Sequence, residues 1–145
     1  MNLFLQLLDE SEITAAEERM GLRFPSELRN FYLNIGYGFL GSRSGATDRI
    51  MHPGSVADFR LHAGAYQHFP QMKTYDKYTR ERLIFFQVTE REFFSIQLTT
   101  KYTQKIYLLD KVVAYSFEEF LMTYPYRRFT FTGRPASQCR PTMTS

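Results

Sequence analysis

Histidine, cysteine, serine and paired carboxylates are the side chains that hold metals, attack carbonyls or move protons, and this sequence spaces them poorly for each task. His52, His62 and His68 are ten and six residues apart. Neither gap gives the i, i+4 spacing that sets two ligands on one helix face. Ser42 and Ser44 stand in the stretch GSRSG. No apolar strand leads into it and no helical period follows, so it is not a strand-to-helix nucleophile elbow. Cys139 is the single cysteine; it can form neither an internal disulfide nor a thiolate cage, and it reads as an ordinary exposed thiol in a reducing compartment. The acids cluster as Glu17-Glu18, Glu90 with Glu92, and Glu118-Glu119. A paired-carboxylate mechanism would need distant members of these clusters to meet in a cleft. Gly36-Tyr37-Gly38 is a fragment of a phosphate loop, but it follows a helical pattern where a strand is required. Arg127-Arg128-Phe129-Thr130-Phe131 alternates basic and aromatic chemistry. One such stretch falls short of a nucleic-acid footprint, and it reads instead as an edge strand or helix exit with Phe129 and Phe131 packed inward. The expectation is a protein without catalytic, metal-binding or cofactor-binding residues, that is, not an enzyme.

The chain around these residues has 145 residues and a mass of 17.2 kDa, 43% hydrophobic and 23% charged. That length supports one core of ordinary size. Fourteen Phe and ten Tyr without Trp make the apolar set unusually aromatic. Apolar runs such as Leu83 to Phe86 are far below the ~20 residues that cross a bilayer. Residues Met1 to Leu8 lack a basic leader or cleavage site. The expectation is a soluble, cytoplasmic chain with no membrane partner. The formal charge of +3 is uneven. Arg127, Arg128, Arg134 and Arg140 follow Tyr126 with no acid, which leaves 14 bases and 15 acids before them. The segment Thr132 to Ser145 is rich in Thr, Ser and Pro and reads as a mobile basic tail after a domain over residues 1–131.

Helical signals come first. Thr14 with Glu17 makes a capping box, and Gly21 supplies the left-handed stop. Pro25 suits the first turn of a second helix in which Leu28, Phe31, Tyr32 and Ile35 form one apolar stripe, ended by Gly36 and Gly38. Residues Phe39 to Asp48 read as an irregular loop or short edge strand, and Arg49-Ile50-Met51 as a brief extended piece. His52-Pro53-Gly54 signals a turn, after which Ser55 can cap a third helix carrying Val56 and Phe59. Residues 64–82 have no clean period and read as loop with one helical turn. The period then changes. Leu83 to Val88, Phe93 to Leu98 and Ile106 to Leu109 are strand-length runs joined by short polar turns, with Val112 to Tyr115 a further short strand. Short connections favour antiparallel pairing. Ser116 with Glu119 is a second capping box, opening a helix with Phe117, Phe120, Leu121 and Tyr124 on one stripe and an end before Pro125. The fold class is α+β, a single domain with an antiparallel sheet flanked by helices.

The order of these pieces resembles the SUKH superfamily, in its Smi/Knr-type branch, over about residues 12–124. The resemblance is carried by the acidic helix ending in Gly21, the motif Leu22-x-Phe24-Pro25, the stripe Ser26 to Leu33 with its exit at Gly36 and Gly38, Arg49-Ile50-Met51, the three-strand run, and Ser116-Phe-Glu-Glu-Phe-Leu121. The family often sets Asn directly before the glycine turn, whereas Ile35 separates Asn34 from Gly36 here. The resemblance implies an immunity protein that protects its cell by binding a polymorphic toxin domain and occluding its active site. It also implies, as the alternative, a regulatory scaffold that binds an endogenous partner. Neither use is catalytic, so no catalytic residue is carried over. A small enzyme or nucleic-acid binder outside the family pattern is the third reading.

Binding a protein needs aromatic and arginine anchors outside the core stripes. Tyr37, Phe39, Arg43 and Arg49 around the glycine-bounded loop are candidates, as are Tyr66, Tyr75, Tyr78 and Arg80 in the unpatterned middle. The near-neutral body does not offer the acidic face that suits a basic nuclease, which favours a toxin of another class. The expected assembly is a monomer or weak homodimer.

Overall fold

A computed structural model describes residues 4–40, 48–98 and 104–131, with the side chains of residue 4 and residues 125–131 left out. Among the described residues seven strands form one sheet in strict chain order, every neighbouring pair antiparallel. They are β1 Phe4–Gln6, β2 Tyr37–Phe39, β3 Arg49–Ile50, β4 Arg82–Gln87, β5 Phe93–Gln97, β6 Ile106–Leu108 and β7 Lys111–Ala114. Helices α1 Glu10–Met20 and α2 Ser26–Asn34 join β1 to β2. Helix α3 Pro53–Leu61, a 3-10 turn Gly64–Tyr66 and helix α4 Met72–Asp76 join β3 to β4, and α5 Phe117–Phe131 closes the chain. The α+β class and the antiparallel sheet are as the sequence predicts.

The runs in β4 and β5 lack alternation because both faces of these strands are covered. Leu83 to Phe86 and Phe93 to Ile96 are all buried. Phe93 enters one aromatic cluster with Phe59, Tyr66, Phe69 and Tyr75, its ring centroid 5.0 to 6.0 Å from theirs. Phe94, its neighbour, points the other way onto Phe120 and Tyr124 of α5 at 5.5 and 5.2 Å. A register shift between Ile84 and Phe86 adds one residue to β4. Such a bulge breaks the period of two, which is how consecutive residues Phe85 and Phe86 both reach Phe120, at 5.7 and 5.2 Å.

Several helix ends differ from expectation. Helix α1 begins at Glu10, with Glu12 returning its carboxylate to the Asp9 N–H at 3.1 Å. Asp9 and Glu12 repeat the spacing of Thr14 and Glu17 one turn earlier, and the earlier pair sets the start. Thr14 lies inside the helix and Glu17 is buried. Ser55 does not cap α3. The His52 ring does, its Nδ1 accepting from the Gly54 N–H at 2.8 Å. A ring nitrogen thus does what a hydroxyl usually does. Ile35 falls just past the last residue of α2 and is 44% exposed, so the stripe stops at Tyr32. Helix α5 runs past Pro125 to Phe131, which makes Arg127–Phe131 helical and not an edge strand. Ser116 caps α5 as expected, accepting from the Glu119 N–H at 3.0 Å, although the Glu119 carboxylate takes the Tyr115 N–H at 2.7 Å. The expected tail, residues 132–145 with Cys139, lies outside the described residues, as do Ser42, Arg43 and Ser44.

Strand β1, which the sequence reading misses, is held by a close approach at Gly36. Gly36 has φ +118°, and a Cβ built there would stand 1.9 Å from the Gln6 carbonyl oxygen. Gly36→Ala is expected to cost more than ~1–3 kcal/mol, the scale of a strained backbone position. It should also free β1, raising hydrogen exchange at residues Leu5 to Leu7 above that of β4. Unchanged protection there would contradict the contact.

Candidate partner-binding surface

Register decides which candidates share a face, because residues directly opposite in neighbouring strands project to the same side. Phe39 lies opposite Arg49, Arg49 opposite Gln87, and Gln87 opposite Phe93. Tyr37, two residues from Phe39, is on this side too and pairs with Gln6. The same face therefore carries Tyr37, Phe39 and Arg49 at its β1 to β3 end. The α3 to α4 layer covers its middle, over Phe93.

Tyr37 and Arg49 are each fixed by a neighbour. The Tyr37 hydroxyl donates to Gln6 Oε1 at 2.8 Å, and its ring meets His52 edge-on at 4.8 Å. His52 is anchored in turn, Nδ1 on the α3 cap and Nε2 2.9 Å from Glu12 Oε1. Since Nδ1 accepts, the proton sits on Nε2 and is donated to Glu12. This hydrogen bond holds the Glu12 carboxyl below its usual range. Arg49 donates from Nε to Gln87 Oε1 at 2.7 Å. Phe39 has 43% of its surface exposed. It is an aromatic ring beside a positioned guanidinium, the pairing that interface centres favour.

Tyr66 and Tyr75 do not belong to an open surface. Both are buried in the cluster around Phe93. The Tyr75 hydroxyl accepts from the Phe93 N–H at 3.1 Å and donates to the Arg91 carbonyl at 3.3 Å, so its polar end also serves the fold. Burial raises the pKa of both phenols, and for Tyr66 the neighbouring Arg49 works against that rise. Tyr66 comes from a three-residue 3-10 turn and Tyr75 from the five-residue α4, elements too short to show a period.

Tyr78 and Arg80 fall elsewhere on the same side of the sheet. Arg82 lies opposite Gln97, and Gln97, Ser95 and Phe93 alternate onto one face of β5. Arg82 and Gln87 therefore mark two ends of β4 on that face, roughly 17 Å apart at ~3.3 Å per residue. Tyr78 and Arg80 stand at the Arg82 end. Sequence reasoning passes over Arg60, Arg82 and Tyr107, which gather there, because they come from three separate elements.

The histidines stay apart: His52 is on Glu12, His62 Nε2 is 2.9 Å from Asp76 Oδ1, and His68 is exposed. Among the described residues no three His, Cys, Asp or Glu side chains converge as metal ligands. No described helix is long and apolar enough to cross a membrane. The acids of α1 are largely engaged within the fold. Glu12 is on His52, Glu10 is 3.7 Å from Arg29, and Glu17 holds Arg29 Nε at 2.9 Å.

Comparison with known proteins bears on what such a surface meets. The model of the SMI1 / KNR4 family (SUKH-1) matches residues 7–123. A Bacillus subtilis (strain 168) protein described as immunity protein YxxD is 40% identical over 114 residues, covering 79% of this chain and 78% of that protein. No solved structure gives a significant match.

Proposed function

Because the chain belongs to the SMI1 / KNR4 family (SUKH-1), we propose that it is an immunity protein, which binds a cognate toxin domain in the cytoplasm and neutralises it by covering the active site. The observation that carries this reading is the 40% identity, over most of both chains, to a protein described as an immunity protein. The site is assigned to the face bearing Tyr37, Phe39 and Arg49; Arg43, expected with them from the sequence, lies outside the described residues. Rigid aromatic and arginine anchors of this kind supply most of the energy of a protein interface. The internal pairing of the α1 acids supports a toxin whose matching surface is not strongly basic.

Co-expression tests the role. The polypeptide encoded beside this chain is expected to arrest growth alone, and the chain to restore growth and to co-purify with it. Arrest without rescue or co-purification would contradict the assignment. Phe39→Ala tests the surface. Affinity for the toxin domain is expected to fall about tenfold or more, while the chain stays folded with a cooperative melt, since 43% of the Phe39 surface is exposed and the ring lies outside the core. Unchanged affinity in calorimetry removes Phe39 from the interface.

A further inference from the structure

The second cluster on this side of the sheet is a depression of about 720 Å³ lined in part by Arg60, Lys77, Tyr78, Arg80 and Arg82. The guanidinium groups of Arg60 and Arg82 are positioned by the fold, and neither is ion-paired among the described residues. Arg60 is half-buried and donates from Nη1 only to carbonyls, Thr79 O at 2.8 Å and Arg82 O at 3.3 Å. Arg82 donates to the Leu109 carbonyl and lies over two rings, 4.5 Å from the Tyr78 centroid and 3.7 Å from that of Tyr107. These contacts hold the guanidinium plane in place against the two rings and the Leu109 carbonyl. Tyr78 is itself tied to Asp110 Oδ1 at 2.9 Å. Among the described residues no carboxylate lies within ion-pair distance of Arg60, Arg80 or Arg82. Of the two acids in the lining, Asp76 is on His62, and Glu81 is exposed to solvent.

Partly buried cations whose partners are carbonyls and rings, with no counter-ion, are costly to keep, and a ligand that brings negative charge relieves that cost. Fixed guanidinium forks match the planar, two-oxygen geometry of a carboxylate. We propose that this depression seats a carboxylate-bearing segment of the partner protein, an Asp- or Glu-rich stretch of the toxin domain. The inference rests on the immunity reading for the identity of that partner. Its geometry agrees with one partner touching both ends of the face. An interface of ordinary size covers about 800 Å² per side, wide enough to reach across the roughly 17 Å between the ends of β4.

The test uses the full chain and a defined probe, N-acetylated hexaglutamate, followed through the Nε–Hε resonances of Arg60, Arg80 and Arg82, with inorganic phosphate and hexalysine in parallel. Hexaglutamate is expected to shift these resonances saturably, with hexalysine silent and phosphate weaker. Arg80→Glu reverses an exposed charge without touching the core, and should weaken the peptide at least tenfold, within the range for a charge-assisted contact. In the toxin assay it should reduce affinity by a similar factor. Absent or unsaturable shifts with hexaglutamate overturn the proposal. Tighter binding of phosphate overturns the choice of ligand, and unaltered toxin affinity in Arg80→Glu removes the depression from the interface. A silent peptide leaves the immunity reading standing; a chain that binds the peptide but protects no cell loses that reading and keeps the site.

Discussion

Phe120→Ala is expected to lower stability by about 3–5 kcal/mol, the cost of removing a large ring from a packed core. Phe120 is 1% exposed. Its ring lies 5.7, 5.2 and 5.5 Å from Phe85, Phe86 and Phe94 on the sheet and 5.3 Å from Tyr124 one turn along α5. Removing it opens a cavity at the point where the bulge in β4 aims two consecutive phenylalanines at one helix. Close neighbours on rigid strands collapse poorly into such a space, which places the loss in the upper part of the range. For a chain of this length the melting temperature should fall on the order of 10 °C. Urea denaturation checks the value, with an unchanged slope showing that the denatured state is not altered. A loss below about 1 kcal/mol would contradict the packing described. Phe120→Leu, which refills most of the volume, should cost clearly less.

Glu17→Ala is expected to be comparably harmful for a different reason. The Glu17 carboxylate holds Arg29 through two contacts, at 2.9 and 3.2 Å, and accepts the Phe24 N–H at 2.9 Å. Both side chains are largely shielded, 9% and 15% exposed. Truncating the acid leaves Arg29 only the exposed Glu10, 3.7 Å away, and strands a buried N–H, which places the loss at the lower end of the about 3–5 kcal/mol that breaking a buried pair costs. Glu17→Gln keeps an acceptor for Phe24 and should lose less. Joining α1 to α2 in this way makes the effect non-additive. The double variant Glu17→Leu with Arg29→Leu, which strands no guanidinium but still leaves the Phe24 N–H without its acceptor, should recover part of the stability. A double-mutant cycle in urea measures this, and simple additivity would show that the two groups do not act as a unit.

The contrast between these residues shows what can be read in the sequence. Phe120 lies on an i, i+3, i+4 stripe and declares itself as core. Glu17 looks like a capping residue, because its spacing from Thr14 is right; its buried role depends on Arg29 and Phe24 arriving from the next helix. Strands β4 and β5 are legible as continuous apolar runs since both faces are covered. The bulge that sends Phe85 and Phe86 the same way leaves no local signature. Strand β1 is three residues long, too short for a period, and is revealed only by Gly36 against Gln6. The candidate surface is legible in part. Tyr37, Phe39 and Arg49 stand near one another in sequence and meet in space through adjacent strands, whereas Tyr66 and Tyr75, taken from an unpatterned segment, fill the core.

The account turns on inhibition by occupancy, and an inhibition titration of the cognate toxin domain measures this most directly. Residual toxin activity should fall linearly with added chain, reach zero at one chain per toxin, and return in full once the two are separated. Substoichiometric amounts that silence the toxin progressively with time, leaving it inactive after separation, would show chemistry carried out on the toxin and contradict the account.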